Sequence, residues 1–163
     1  MKHIMDKEEY DKIMNDDEGV NQMTGSEINF VVKDSVKTLE LYKKIFTDIE
    51  VVEATAFEAG KNEAVFNLYN GRFHMLDENP DFELVAPREG HRNTIWFNIL
   101  VADIKSTFDR AIQNGCTQIQ DVKHMPEMGA SNALFADPFG YVWLLHEIHQ
   151  VVSFEDRVDA LKQ

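Results

Sequence analysis

One cysteine, Cys116, stands among the 163 residues, so the chain cannot form an internal disulfide. That suits a reducing compartment, and a cytoplasmic protein is the expectation. No apolar run approaches the roughly 18 residues that a membrane-spanning helix requires. The opening MKHIMDKEEYD lacks the apolar core of a signal peptide, so secretion is not expected. Positive charge is scarce: 16 Lys and Arg face 29 Asp and Glu, for a net charge of −13. This balance argues against nucleic acid and anionic membranes as partners, and it favours cationic small molecules. A Gly-rich phosphate loop, a serine-nucleophile motif and a basic patch are all missing. The histidines show no metal-ligand spacing; strand alternation separates His146 from Glu147 and His149. Cys116 has no basic neighbour to activate it and reads as an inert thiol.

What is present is patterned hydrophobicity, 44% apolar residues arranged as one domain or two small halves sharing a core. Residues 1–26 read as a helical extension, with Asp6 and Glu9 as a capping box. Ile28–Val32 is a strand, and a helix capped by Ser35 places Val36, Leu39, Tyr42 and Phe46 on one face. Strands follow at Ile49–Ala59, Glu63–Tyr69 and Arg72–Asp77, with Asn70-Gly71 as a hairpin turn. A polar loop, 78–93, carries Arg88, His91 and Arg92. The order then recurs: strand Thr94–Val101, a helix capped by Asp103 and ended by Gly115, and strands Thr117–Val122 and Ser131–Ala136. The last strand, Tyr141–Ile148, is entered through Asp137-Pro138-Phe139-Gly140, where proline and glycine supply a tight turn. Its residue Trp143 is expected to pack under a helix. Residues 150–163 close with a helix capped by Ser153.

The halves repeat at an offset of 69, which pairs Asp34 with Asp103, Asn29 with Asn98, Leu39 with Phe108 and Gly71 with Gly140. Modules 27–77 and 94–149 therefore each read β-α-β-β-β.

The motif DPFG-x-x-W and this repeat resemble the glyoxalase/bleomycin-resistance/dioxygenase (vicinal oxygen chelate) superfamily, most closely its PhnB-like branch. The resemblance implies an α+β fold in which the two modules pair into a half-open mixed barrel around a cleft, with the N- and C-terminal helices added. It also implies four metal-ligand positions, on the first and last strands of each module. Matched by motif and offset, these are Glu27, Met75, Trp96 and Leu144. Only Glu27 is a ligand type, so no metal and no cofactor is expected there. Alternation then adds Asn29, Phe73, Asp77, Asn98 and His146 to the predicted ligand-binding lining. The catalytic residues are unknown; Glu27 and His146 are candidate bases, the latter oriented by Asp77.

The first functional reading is metal-free binding of a small cationic or aromatic molecule by a homodimer, with Trp96, Glu27, Asn29 and Asn98 on paired first strands. A lyase, isomerase or dioxygenase, metal-dependent or using Glu27 or His146, is the second. A structural or regulatory module whose cleft is filled by its own side chains is the third.

Overall fold

The computed structural model describes residues 25–90 and 94–162. The helix expected within 1–26 and the basic residues His91 and Arg92 lie outside them, apart from Gly25 and Ser26, which are coil. The first unit comprises β1 (Ile28–Val32), α1 (Ser35–Ile45), β2 (Ile49–Ala54), β3 (Glu63–Leu68) and β4 (Gly71–Asp77). The second comprises β5 (Phe97–Leu100), α2 (Ile104–Gln113), β6 (Thr117–Met125), β7 (Ala130–Ala136) and β8 (Val142–Ile148), followed by α3 (Phe154–Leu161). Each unit builds its own mixed sheet, in the order β1-β4-β3-β2 and β5-β8-β7-β6. First and last strands are parallel neighbours, and the other pairs are antiparallel. The fold is α+β with two β-α-β-β-β modules, and the two sheets are not closed into a barrel. Strands β1 and β5 lie in different sheets, so the expected pairing of first strands does not form.

Local chemistry accounts for the boundaries. Helix α1 is capped by Asp34 rather than Ser35, because Lys37 N–H donates to Asp34 Oδ1 at 3.0 Å. Ser35 is instead the first helical residue, and both its N–H and its hydroxyl donate to Asp77 Oδ1, at 2.7 and 2.8 Å. Strand β2 stops at Ala54, short of the expected Ala59. There the Asn62 carboxamide takes over the backbone: Phe57 N–H donates to it at 2.6 Å, and its amide donates to the Phe57 and Glu58 carbonyls. Helices α2 and α3 begin at the expected caps, Asp103 and Ser153.

The two units share one core. Phe30 of the first packs against Phe97 and Tyr141 of the second, each with ring centroids 5.1 Å away. Tyr42 and Phe46 of α1 sit on Trp143 at 5.0 and 4.9 Å, so Trp143 does pack under a helix. Edge-to-face rings add directional preference to what is otherwise area burial. Polar crosslinks fix the fit: Arg110 Nε donates to the Ile45 carbonyl, and Tyr141 Oη to the Val31 carbonyl, both at 2.8 Å.

At the centre lies Asp137, 5% exposed. Its carboxylate accepts from Tyr42 Oη at 2.6 Å, Trp143 Nε1 at 3.0 Å, and the Phe139 and Tyr141 N–H groups at 2.9 Å. Burial pushes its pKa up, and the four donors pull against that rise. The following Gly140 has φ +99, and a Cβ there would stand 2.6 Å from Pro87 Cβ. The turn is thus locked from the side of the linker as well. Cys116 is buried nearby, and desolvation pushes its thiol up to about 12, as befits an inert sulfur.

Two predictions follow from these carboxylates. Asn at position 137 must present an amide donor to a site furnished only with donors, and Trp143 cannot reverse its N–H. Asp137→Asn should therefore lose roughly 2–4 kcal/mol in urea unfolding, against about 1 kcal/mol for Tyr42→Phe; an unchanged midpoint would refute the role. Asp77 behaves oppositely. Burial raises its pKa, but bonds from Ser35, Asn62 and Gly60 outweigh that and leave it below the ordinary 3.8. Its contribution is complete above about pH 4 and fades as pH falls through the lowered value. Asp77→Asn should flatten the acid limb of a stability–pH curve between about pH 4 and 2.

Candidate functional site

Alternation along the second sheet separates a helix side from an open side. Phe97, Ile99, Trp143, Leu145, Ala133 and Phe135 are buried on the helix side. The intervening residues form the open side: Asn98 and Leu100 are exposed, while Leu144, His146, Leu134 and Asn132 are half-buried. Register sets these in two rows across the strands, Asn98–Leu144–Leu134 and Leu100–His146–Asn132. Trp96, just before β5, is 60% exposed. Gln120 Nε2 donates to Asn132 Oδ1 at 2.6 Å, fixing the amide beside His146. Desolvation lowers the His146 pKa, which keeps the imidazole neutral near pH 7. The result is a mixed strip, three leucines beside Asn98, His146 and Asn132, and Trp96, Asn98, Leu144 and His146 all belong to this region of the sheet.

The first sheet departs from expectation. Phe73 and Met75, 3% and 0% exposed, face the core; Phe73 stacks on Phe66 at 5.2 Å. Asp77, 3% exposed, is spent at the start of α1 and on the loop, accepting from Ser35 and from Gly60 and Asn62 N–H at 3.0 Å. None of the three lines the open face, and Asp77 does not orient His146, which lies in the other sheet. The residues opposite Asn29 and Val31 are instead His74 and Leu76. A single residue causes the shift. Leu68 and Gly71 close a two-residue turn, Tyr69-Asn70, with Tyr69 taking φ +51. In the second unit Asp137 N–H donates to the Tyr141 carbonyl at 2.8 Å and closes a three-residue turn. Past the turn, therefore, Phe73 lies opposite Ile28 as Trp143 lies opposite Phe97, a separation of 70 positions rather than 69. Unequal turn residues, Tyr-Asn against Pro-Phe-Gly, were the visible signal.

With that register the open face of the first sheet carries a charged chain that the sequence reading missed. Arg72 Nε donates to Glu27 Oε2 at 2.8 Å. His74 Nδ1 lies 3.1 Å from Glu27 Oε1, and its Nε2 lies 2.9 Å from Glu63 Oε2. The Arg72 hydrogen bond, helped by His74, holds the Glu27 carboxyl below its usual range. Asn29 is exposed beside this chain.

The residues do not fit a divalent metal at the positions the resemblance assigns. Corrected for register, the first sheet offers Glu27 and His74, already bonded to each other, to Arg72 and to Glu63. The second sheet offers Trp96 and Leu144, which have no lone pair for a hard or borderline cation. Among the described residues, no three His, Cys, Asp or Glu side chains are grouped to hold one ion.

Comparison with solved structures places this geometry among known folds. The fosfomycin resistance protein FosX from Listeria monocytogenes, complexed with Mn(II) and 1S,2S-dihydroxypropylphosphonic acid, superposes with TM-score 0.60 at 16% identity, covering 85% of this chain and 98% of that one. TioX from Micromonospora sp. ML1 gives 0.59 at 14% identity, covering 78% and 99%. A glyoxalase/bleomycin resistance protein/dioxygenase from Nocardioides gives 0.55 at 16% identity, covering 83% and 93%. At these identities the likeness is one of fold. A comparison with curated protein sequences finds no match. The sequence profile of the Glyoxalase/Bleomycin resistance protein/Dioxygenase superfamily matches residues 24–145, which span both modules up to the last strand, and the chain belongs to that superfamily.

Proposed function

We propose that this protein binds a small molecule, cationic or aromatic, against the open face of its second sheet, without a metal at the superfamily's ligand positions. The observation that carries this reading is Trp96, 60% exposed at the edge of a strip formed by three leucines and three polar side chains. An indole costs free energy to leave in water, and Trp96 stands in phase with Asn98, whose neighbour across the sheet is Leu144. Asn98, His146 and Asn132 supply the few hydrogen-bonding anchors a ligand needs for orientation. The net charge of −13 and the exposed indole suit a cation. Glu27 and Asn29 sit on the first sheet, where Glu27 is held by Arg72 and His74, so they are not counted among these anchors. The PhnB-like branch, in which the metal motif is commonly absent, agrees with Trp96 and Leu144 at metal positions. A cytoplasmic homodimer is part of the same proposal, since the open sheet faces and exposed Val51, Val52 and Leu100 call for a cover. No described helix is long and apolar enough to cross a membrane.

A second reading, an enzyme of the lyase or isomerase kind, has one observation in its favour. His146 is kept neutral by desolvation and can take a proton from a bound substrate.

Ethidium, a planar aromatic cation, serves as a probe. It should quench Trp96 fluorescence over the constant background of buried Trp143, and Trp96→Ala should weaken binding by about 1–3 kcal/mol while the melting temperature holds. Binding unaffected by the substitution sinks the proposed site. So does a stoichiometric metal that disappears on Glu27→Ala. Sedimentation at micromolar concentration should give twice the 18.8 kDa of the chain; a purely monomeric boundary contradicts the dimer.

A further inference from the structure

On the helix side of the second sheet, beyond the N-terminus of α2, three adjacent strands bring together His124, Ser131, Glu147 and His149. Ser131 on β7 stands opposite both His124 on β6 and Glu147 on β8. His149 Nε2 lies 2.8 Å from Ser131 Oγ, and His124 Nδ1 lies 3.3 Å from the same oxygen. Two imidazole nitrogens thus converge on one point. The ring centroids are 5.2 Å apart at 61°. Two imidazoles sharing one tetrahedral ion, with nitrogen–metal bonds of about 2.1 Å, put their centroids about 5 Å apart. The rings therefore already stand at the spacing a shared ion requires.

What lies behind His149 strengthens the case. Its Nδ1 is 3.5 Å from Glu147 Oε1, and the other oxygen of that carboxylate accepts from Ile104 N–H at 2.9 Å. A carboxylate behind the far nitrogen is the usual means of orienting a metal-bound histidine and raising its basicity. The backbone is held too: His149 and Gln150 N–H groups both donate to the Gly129 carbonyl, at 2.8 and 3.0 Å. At Gly129, φ +63, a Cβ would come within 2.2 Å of the Gln150 carbonyl oxygen, so only glycine allows this closure. His124 and His149 are exposed. A Ser–His–Glu hydrolytic relay shares these distances, but Ser131 is 5% exposed and offers an acyl carbonyl no approach.

We propose that His124 and His149, with the Ser131 hydroxyl between them, form a binding site for a borderline divalent transition-metal ion, with Glu147 positioning His149 and solvent completing the shell. The site lies on the opposite face of the sheet from Trp96 and does not depend on the small-molecule reading. A histidine pair suits Zn²⁺, Cu²⁺ or Ni²⁺ rather than Mg²⁺ or Ca²⁺.

The test is calorimetric titration of Zn²⁺ into the full chain after chelator treatment and dialysis. One equivalent should bind, with affinity falling about tenfold or more in His124→Ala and in His149→Ala, and about tenfold in Glu147→Gln. Zn²⁺ should raise the melting temperature of the wild type but not of His124→Ala, whose exposed ring can be removed without loss of fold. Cu²⁺ bound to the wild type should show electron-spin couplings to two imidazole nitrogens. Absence of saturable uptake, or uptake unchanged in His124→Ala, overturns the site. Loss of ethidium binding in Trp96→Ala with Zn²⁺ uptake intact would mark the two sites as separate.

Discussion

A buried carboxylate holds the two halves of this molecule together. Asp137 opens the turn into the last strand of the second module, yet its shortest hydrogen bond comes from Tyr42 on the helix of the first. Trp143 supplies another, and that indole also packs edge-to-face on Tyr42 and at a tilt on Phe46. Removing a buried acceptor strands every donor aimed at it, which is why such a group constrains more than its net energy suggests. The aromatic cluster, the helix pair and the turn geometry are all consistent with that one anchor. Because the modules meet through their helix-bearing sides, the opposite sheet faces are left for other partners.

A pseudo-symmetric pair of carboxylates shows how the repeat is used at its ends. Asp77 closes β4 and receives the first N–H of α1; Glu147 closes β8 and receives that of α2. Each puts a negative charge at a helix N-terminus, where unpaired N–H groups and the helix dipole favour it. The copies then diverge. Asp77 has both oxygens occupied by backbone and serine donors, whereas Glu147 turns its second oxygen toward His149. One copy is wholly structural, and the other leaves an edge on which a histidine pair converges.

Much was legible in the chain itself. The β-α-β-β-β repeat, the helix caps at Asp103 and Ser153, the burial of Trp143 and the separation of His146 from Glu147 all follow from patterning and alternation, which act over a few residues. Asp34 in place of Ser35 as a cap, and the early end of β2, turned on side chains that compete for the same N–H groups. Such competition is settled by geometry that a linear pattern does not contain. On the second sheet the face assigned to Asn98, Leu144 and His146 agrees with the register. On the first, Phe73, Met75 and Asp77 were put on the wrong side.

That error marks the boundary between the two kinds of information. Sequence alone determined which segments are strands and which of their residues alternate together, because backbone stereochemistry dictates a period of two. The phase of one strand against its neighbour was decided by the turn between them. One residue fewer in Tyr69-Asn70 than in Pro138–Gly140 sends Met75 into the core and His74 to the open face of the sheet. Nor could local pattern reveal that Glu27, Arg72, His74 and Glu63 join in one chain, or that His124 and His149 approach the same serine. These side chains come from different strands, some of them consecutive and others far apart along the chain. Their proximity exists only once the antiparallel ladders have set the register and the shared core has chosen which face each sheet buries.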